Sequence, residues 1–395
     1  MRQAGSLTFP TWMCRLRAMT EQPRVFVEHG PNGPAWFESA REVVTAHAVP
    51  EVAPALARLD EARAAGHWVA GWIAYEAGAA FEPRLAGIAR GNAPLLVMGV
   101  FPDGPARGGL GATQAGAATL TEPKPLIARD DYDRAVAAVL AYIAAGDCYQ
   151  VNLTFPLSSR LTGTPLDLFH RLRGAGGAGH AAYAELGVGP TVVSLSPELF
   201  FRVDPAGRIT SRPMKGTAPR DPNPARDAAL AAELQASEKA RAENLMIVDL
   251  LRNDIGRLAR PGSVRVPALY ALEPYATVHQ MTSTVEGDLA EPASLSQLMP
   301  ALFPCGSVTG APKIRAMQII RELEPHPRGV YCGAVGWMGP DGSCDFSVAI
   351  RTLRIEGRDV TLNVGGGIVA DSTAQGEWEE ALWKTRFVGP ALSPA

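Results

Sequence analysis

SRPMKGTAPR, residues Ser211–Arg220, is the stretch on which the rest of the chain turns. Lys215 stands between Pro213-Met214 and Gly216-Thr217. Two prolines, Pro213 and Pro219, stiffen the segment, and Gly216 permits close backbone approach, so it reads as a rigid loop that presents one lysine. Taken alone, a solvated lysine on a surface turn accounts for it better. The residues downstream change that balance.

Carboxylates come first. Glu243 lies within ARAENLMIVDLL, amid Ala242, Leu245, Met246 and Ile247, as a partly buried acid; an ion pair with Lys239 or Arg241 is the plain alternative. Glu377 and Glu380 are three apart at the start of a final helix and share one face; acids favoured by the helix dipole are the plain alternative there. Three carboxylates from two helices are what a Mg²⁺ ion with oxygen ligands needs. Arg351 sits in FSVAIRTL, an otherwise apolar strand, where a guanidinium calls for a carboxylate partner. Gly365–Gly367 ends the neighbouring strand with bare N–H groups able to hold an anionic oxygen. Lys384 follows Glu380 by one helical turn. Together these residues describe a pocket for a small dicarboxylate held partly through Mg²⁺.

Working outward, the 395 residues suffice for one large domain or two ordinary ones, with 47% hydrophobic and 19% charged residues and a formal net charge of -3. No basic block argues for nucleic acid. Cys14, Cys148, Cys305, Cys332 and Cys344 are scattered without C-x-x-C pairs, which fits reduced thiols in a cytoplasmic protein and not a zinc site. No apolar run is long enough to cross a membrane. Residues 1–21 carry arginines, no acid before Glu21 and no cleavable apolar core; they read as a loose extension, with Met19 a candidate start.

The pattern along the chain predicts helices over Val52–Ala65, Asp131–Ala145, Pro165–Leu172, Ala225–Leu251 (breaking near Ser237), Leu295–Leu302, Gly310–Leu323 and Glu377–Val388. Strands are expected at His67–Gly78, from Gln150 onward, twice within Ala181–Phe201, and through Val264–Thr284, Tyr331–Trp337, Asp345–Ile355 and Val360–Val364. Pro102–Ala118 reads as a loop. Strand-rich blocks broken by isolated helices predict one α+β domain over 22–395, of stacked, mostly antiparallel β-sheets with helices outside. No G-x-G-x-x-G follows a strand into a helix, so no dinucleotide site is read.

Residues 131–388 resemble the chorismate-utilising enzymes, a family that includes anthranilate synthase component I, aminodeoxychorismate synthase component I, isochorismate synthase and salicylate synthase. The motifs are GDCYQVNL, SPELF, RPMKGTAPR, AENLMIVDLLRNDIGR, VHQMTSTV, PCGSVTGAPKIRAMQIIRELE, RGVYCGAVGW, FSVAIRTL, GGGIVADS and the final E-x-x-E-x-x-x-K. The resemblance implies two stacked antiparallel sheets. It also implies Mg²⁺ held by Glu243 and Glu380, with Glu377 in the inner or water shell. A carboxylate of the substrate would meet Arg351, Tyr331, Lys384 and Gly365, Gly366 and Gly367. Thr217, Gln150, His279 and Thr309 are carried as further substrate contacts; for His279 and Thr309 a purely structural role stands equally open.

Members that make anthranilate are similar but carry alanine where Lys215 stands. Isochorismate and salicylate synthases carry a lysine where this chain has Gln150. Lysine at 215 with glutamine at 150 resembles the branch that aminates chorismate at C4, towards p-aminobenzoate and folate. That resemblance implies covalent catalysis by Lys215, with Glu198 of SPELF as general acid and ammonia from a separate glutamine amidotransferase. A nearby Mg²⁺ and arginine are expected to lower the Lys215 pKa. The rivals are an anthranilate-forming component and a non-catalytic chorismate-binding subunit. One departure is Ala240, where relatives carry an acid near the metal's waters.

Overall fold

A computed structural model describes residues 22–107, 118–176, 179–275 and 278–393. The extension before residue 22 and most of the Pro102–Ala118 loop lie outside these.

Two large sheets, of eleven and ten strands, hold almost all the extended chain, and every ladder between named strands is antiparallel. Helices lie outside them, and the expected α+β architecture is the one observed. The strand Gln150–Thr162 lies near one edge of the first sheet, paired along its length with Asp359–Ile368. The second sheet is built around Val278–Asp288, which carries Arg208–Arg212, Met214–Pro219 and Arg265–Pro274 as partners.

The chain passes between the sheets at two points that matter for the site. Thr191–Ser196 belongs to the first sheet and Leu199–Val203 to the second, so Pro197-Glu198 is a crossing. Cys344–Val348 belongs to the second and Thr352–Glu356 to the first, so Arg351 is a crossing as well. The crossings are tied together: Val348 N–H donates to Glu198 O (3.1 Å) and Leu195 N–H donates to Arg351 O (3.0 Å). The apolar FSVAIRTL run is therefore not one strand. Arg351 takes φ 48, in the left-handed region, and breaks it.

The SRPMKGTAPR stretch is not a loop either. It is two strands, Arg208–Arg212 and Met214–Pro219, interrupted at Pro213. Against Val278–Asp288 the register runs Met214↔Thr282 and then Thr217↔Gln280. Lys215 and Gly216 thus face the single residue Met281, which is a β-bulge, a feature that re-aims side chains. Gly216 has φ +94, and a Cβ there would press on Ala240 and Leu234 at 3.1 and 3.2 Å. Glycine is required on both counts.

The break expected near Ser237 is real. Pro224–Ala236 ends there, and Ser237 caps Glu238–Gly256, its hydroxyl accepting from Ala240 N at 3.2 Å. Ile247, Val248, Leu251 and Ile255 form the buried face of this second helix, which turns Glu243 towards the gap between the sheets. Ala374–Trp383 is pinned by Trp378, stacked on Phe155 at 4.6 Å and edge-on to Tyr132 at 5.2 Å. Such an aromatic pair contributes about 0.5–1.5 kcal/mol beyond area burial and anchors the helix that carries Glu377 and Glu380.

Three further expectations are corrected. His67–Gly78 stops being a strand at Ile73, because the buried Glu76 carboxylate accepts the N–H groups of Arg328 and Gly329 and winds Tyr75–Ala80 into a 3-10 turn. The helix expected from Gly310 begins at Lys313, since Gly310–Ala311 is held as a strand against Val151 and Gln150. Asp359–Ile368 runs through Gly365–Gly367 instead of ending before them.

Candidate active site

A cavity of about 580 Å³ opens between the two sheets. The first sheet supplies Asn152 and Asn363–Gly367, the second Met214–Thr217 and Gln280, and the crossings Glu198 and Arg351. The two helices add Lys239, Glu243, Glu377 and Glu380, with Lys384 at the end of the last.

Lys215 lines this cavity and, among the described residues, makes no hydrogen bond or ion pair. Its pKa is lowered. Burial is the first cause and the Lys384 charge adds to it, while the carboxylates of Glu243 and Glu198 pull it back up. Among this chain's own groups burial and Lys384 lower it, and the expected arginine is not among the causes. Glu198 is 4% exposed and has one carboxylate oxygen without a partner. Burial pushes it up to about 7, against the opposing pull of Ser307 and Lys215. An amine eased towards neutrality thus faces an acid able to hold its proton near neutral pH.

Arg351 has no carboxylate partner among the described residues, and burial lowers its pKa. A desolvated guanidinium lining a cavity is suited to pairing with an anion. Tyr331 lines the same wall, its phenol held far from ionisation by burial.

The strand Asp359–Ile368 completes the anion site through its backbone. Asn152 N–H donates to Thr309 O and Thr154 N–H to Glu324, so both amides point away from that strand. Their register partners, Gly367 and Gly365, are therefore the non-hydrogen-bonded positions and turn their own amides away from it in turn. On that side the ladder to Thr352–Glu356 reaches only Leu362. A Cβ at Gly366 would lie 2.9 Å from the Glu377 carboxylate and push that side chain aside.

Over Gly366 the charged groups are largely matched. Lys384 Nζ donates to Gly365 O and to Glu380 Oε1, both at 2.8 Å. The Ser372 hydroxyl donates to Glu377 Oε1 at 2.6 Å. Lys239 pairs with Asp371 at 2.9 Å, not with Glu243. Arg241 stacks over Tyr270, so neither plain partner takes Glu243. Burial raises the pKa of Glu243 and of Glu377, and the Glu380 charge raises both further. Glu380 is lowered, chiefly by Lys384.

Among the described residues, no three acids stand close enough to grip a metal ion as their side chains lie. The donor set nonetheless fits Mg²⁺ in kind: three carboxylates line the cavity, two with raised pKa, and one lysine answers them over Gly366.

Three expected contacts are not on the cavity wall. Gln150 is 0% exposed behind Gly367, and neither atom of its carboxamide has a partner. His279 Nε2 pairs with Asp227 at 2.9 Å. The Thr309 hydroxyl donates to Gly306 O at 3.2 Å. Both side chains are thus engaged in hydrogen bonds within the fold. Conversely, Asn152, Asn363, Ser307, Gln280 and Lys239 line the cavity without having been expected, and Trp383 is 40% exposed at its rim. The two asparagines, amides inside apolar strands, were the available signal. Ala240 packs with Ala218, Leu234 and Met281 beneath the bulge.

Fold and cavity together define a two-sheet α+β protein whose cavity is lined by a lysine and an arginine without ionic partners among the described residues. Residues 110–389 match the chorismate binding enzyme family, and the chain belongs to it. It is 44% identical over 284 residues to anthranilate synthase component 1 of Streptomyces coelicolor, covering 72% of this chain and 54% of that protein. It is 45% identical over 260 residues to aminodeoxychorismate synthase component 1 of Escherichia coli, covering 66% and 57%. The chain thus spans little more than half the length of these curated relatives. In structure it is similar to anthranilate synthase component I of Streptococcus pneumoniae, at a TM-score of 0.74 and 25% identity over 97% of this chain and 95% of that one. No helix among the described residues is long and apolar enough to cross a membrane.

Proposed function

We propose that the chain is the chorismate-aminating component of an aminodeoxychorismate synthase, converting chorismate and ammonia to 4-amino-4-deoxychorismate in the cytoplasm. The observation that carries this is Lys215: an unpaired amine of lowered pKa opposite Glu198, whose pKa is about 7. Relatives of near-equal identity bear two different names, so overall similarity does not choose the product.

The neutral amine of Lys215 attacks C2 of the ring. The ring double bonds shift, the C4–O bond breaks, and the Glu198 proton leaves with the hydroxyl as water. Ammonia then forms a bond to C4 as the C2–N bond breaks, which frees Lys215. Arg351, Tyr331 and the amides of Gly365 and Gly367 hold one substrate carboxylate. Glu243, Glu377 and Glu380 would hold Mg²⁺, which would neutralise the second carboxylate. The "component 1" in the names of these relatives supports a partner, a glutamine amidotransferase, as the source of ammonia.

The test is chromatography after incubation with chorismate, Mg²⁺ and ammonium, with and without a lyase that releases p-aminobenzoate. 4-Amino-4-deoxychorismate is the expected product; anthranilate or isochorismate as the main product overturns the reading, and no turnover at all favours a binding subunit. Glutamine in place of ammonium is expected to give no product with the purified 395-residue chain.

A further inference from the structure

Gln280 has no part in the chemistry just described, yet it lines the cavity beside the bulge. Its carboxamide does two things at once. Nε2 donates to Gly216 O at 2.8 Å, and Oε1 accepts from the Thr217 hydroxyl at 3.1 Å. It therefore holds the strand on the downstream side of Lys215 from a position directly across the ladder, where Thr217 and Gln280 are register partners. The upstream side is held separately. Ser283 N–H donates to Pro213 O at 3.2 Å, and the Ser283 hydroxyl donates to the buried Asn244 at 2.5 Å. Between these two clamps lie Met214, Lys215 and Gly216, the stretch over which the regular register is lost.

A bulge places two residues against one and leaves the extra residue outside the ladder. Its direction then depends on side-chain contacts, and the carbonyl of a left-handed glycine is the atom that rotates if such a bulge relaxes. We infer that Gln280 is a positioning residue: its carboxamide fixes the Gly216 peptide and so aims the Lys215 amine into the cavity. Lysine at this place could otherwise swing towards Glu243 or the open mouth, since no hydrogen bond of its own restrains it. Gln280 acts through Lys215 and does not touch the anion site made by Arg351, Lys384 and the glycine amides.

This inference deepens the proposed function and rests on it for the kinetic arm only. Two variants separate the two hydrogen bonds. Gln280→Leu removes both, and Gln280→Glu keeps the acceptor for Thr217 while losing the donor to Gly216. Both are expected to lower kcat about tenfold to a hundredfold, with KM for chorismate changed less than about threefold, because misaiming a reacting group by an ångström costs that much. A general loss of structure would move KM as well.

The second arm needs no turnover. Lys124, Lys215, Lys239, Lys313 and Lys384 are the chain's lysines, so labelling by trinitrobenzenesulfonate can be followed peptide by peptide. In the wild type Lys215 is expected to react with a midpoint below that of the exposed Lys124. In both Gln280 variants that midpoint is expected to rise towards that of Lys124, as the amine leaves its buried place, while the labelling of Lys313 stays unchanged. An unchanged Lys215 midpoint in folded Gln280→Leu overturns the inference, whatever product the wild type makes. A wild type that makes another product, with the Lys215 midpoint shifted in the variants, instead overturns the proposed function and leaves Gln280 as assigned.

Discussion

The two halves of the cavity treat charge in opposite ways. Over Gly366, charges are largely answered: Lys384 with Glu380, Ser372 with Glu377, Lys239 with Asp371. Between the sheet crossings they are left open: Lys215 and Arg351 have no partner among the described residues, and Glu198 keeps a bare oxygen. The matched half sits on helices at the open edge and can exchange partners cheaply. The unmatched half sits in the sheets, where desolvation lowers the pKa of an amine and raises that of a carboxyl. Unanswered buried charge costs stability, so it sets this half apart as the candidate functional region.

The comparison breaks most severely at Lys215. Lys215→Ala is expected to lower amination by about a thousandfold or more, and Lys215→Arg to give no rescue, because a guanidinium stays charged. Lys215→Met is expected to be equally inactive yet to melt a few degrees higher, since it removes an unpaired buried amine. A melting temperature below that of the wild type contradicts the idea that this half is strained by its charges.

On the helices, Glu243→Gln or Glu380→Gln is expected to cost about ten- to a hundredfold in activity and in apparent Mg²⁺ affinity. Titration of Mg²⁺ against melting temperature checks this without turnover. Full activity of the wild type in excess chelator removes the metal from the account.

Glu198 sharpens the contrast through pH. Its folded pKa of about 7 lies above the ordinary carboxylate range, so the folded form binds the extra proton. Its contribution to stability is complete below the unfolded pKa and is lost as pH rises through about 7, an effect on the order of 3 kcal/mol. Thermal melts of the wild type at pH 5 and pH 8 are expected to differ more than those of Glu198→Gln. Equal differences would mean that this carboxyl is not held protonated. The amination rate of the wild type should also fall above about pH 7 as the acid is lost, unless the rising neutral fraction of Lys215 offsets it.

The smallest effect belongs to the rim. Lys239 and Asp371 are well exposed, with side chains 55% and 64% accessible, and Lys239→Ala is expected to change stability by less than about 0.5 kcal/mol. A denaturant titration showing a loss several times larger would mean that the matched half is not loosely held.

Much of this was legible in the residues. Alternation and helical spacing placed the elements, Ser237 declared the helix break, and the motifs around Lys215, Glu198, Glu243, Arg351 and the last helix named residues that do meet in one cavity. What failed were strands whose direction is set by distant partners. FSVAIRTL looked continuous because every residue but one is apolar or small, and only the second sheet explains why it breaks at Arg351. SRPMKGTAPR looked like a loop because prolines and glycine dominate it, although Val278–Asp288 holds it as a bulged strand. His279 and Thr309 stood in motifs, and their partners, Asp227 and Gly306, could not be inferred from spacing.

The sequence by itself determined which side chains are present and on what kind of element. It supplied an amine, acids and glycines in segments too specific to be turns. Tertiary structure decided which of these are paired. Pairing depends on where two sheets exchange strands and on which backbone amides the ladder leaves free. The pKa of Lys215 and of Glu198 follows from that enclosure, because desolvation is a property of the surroundings and not of the residue.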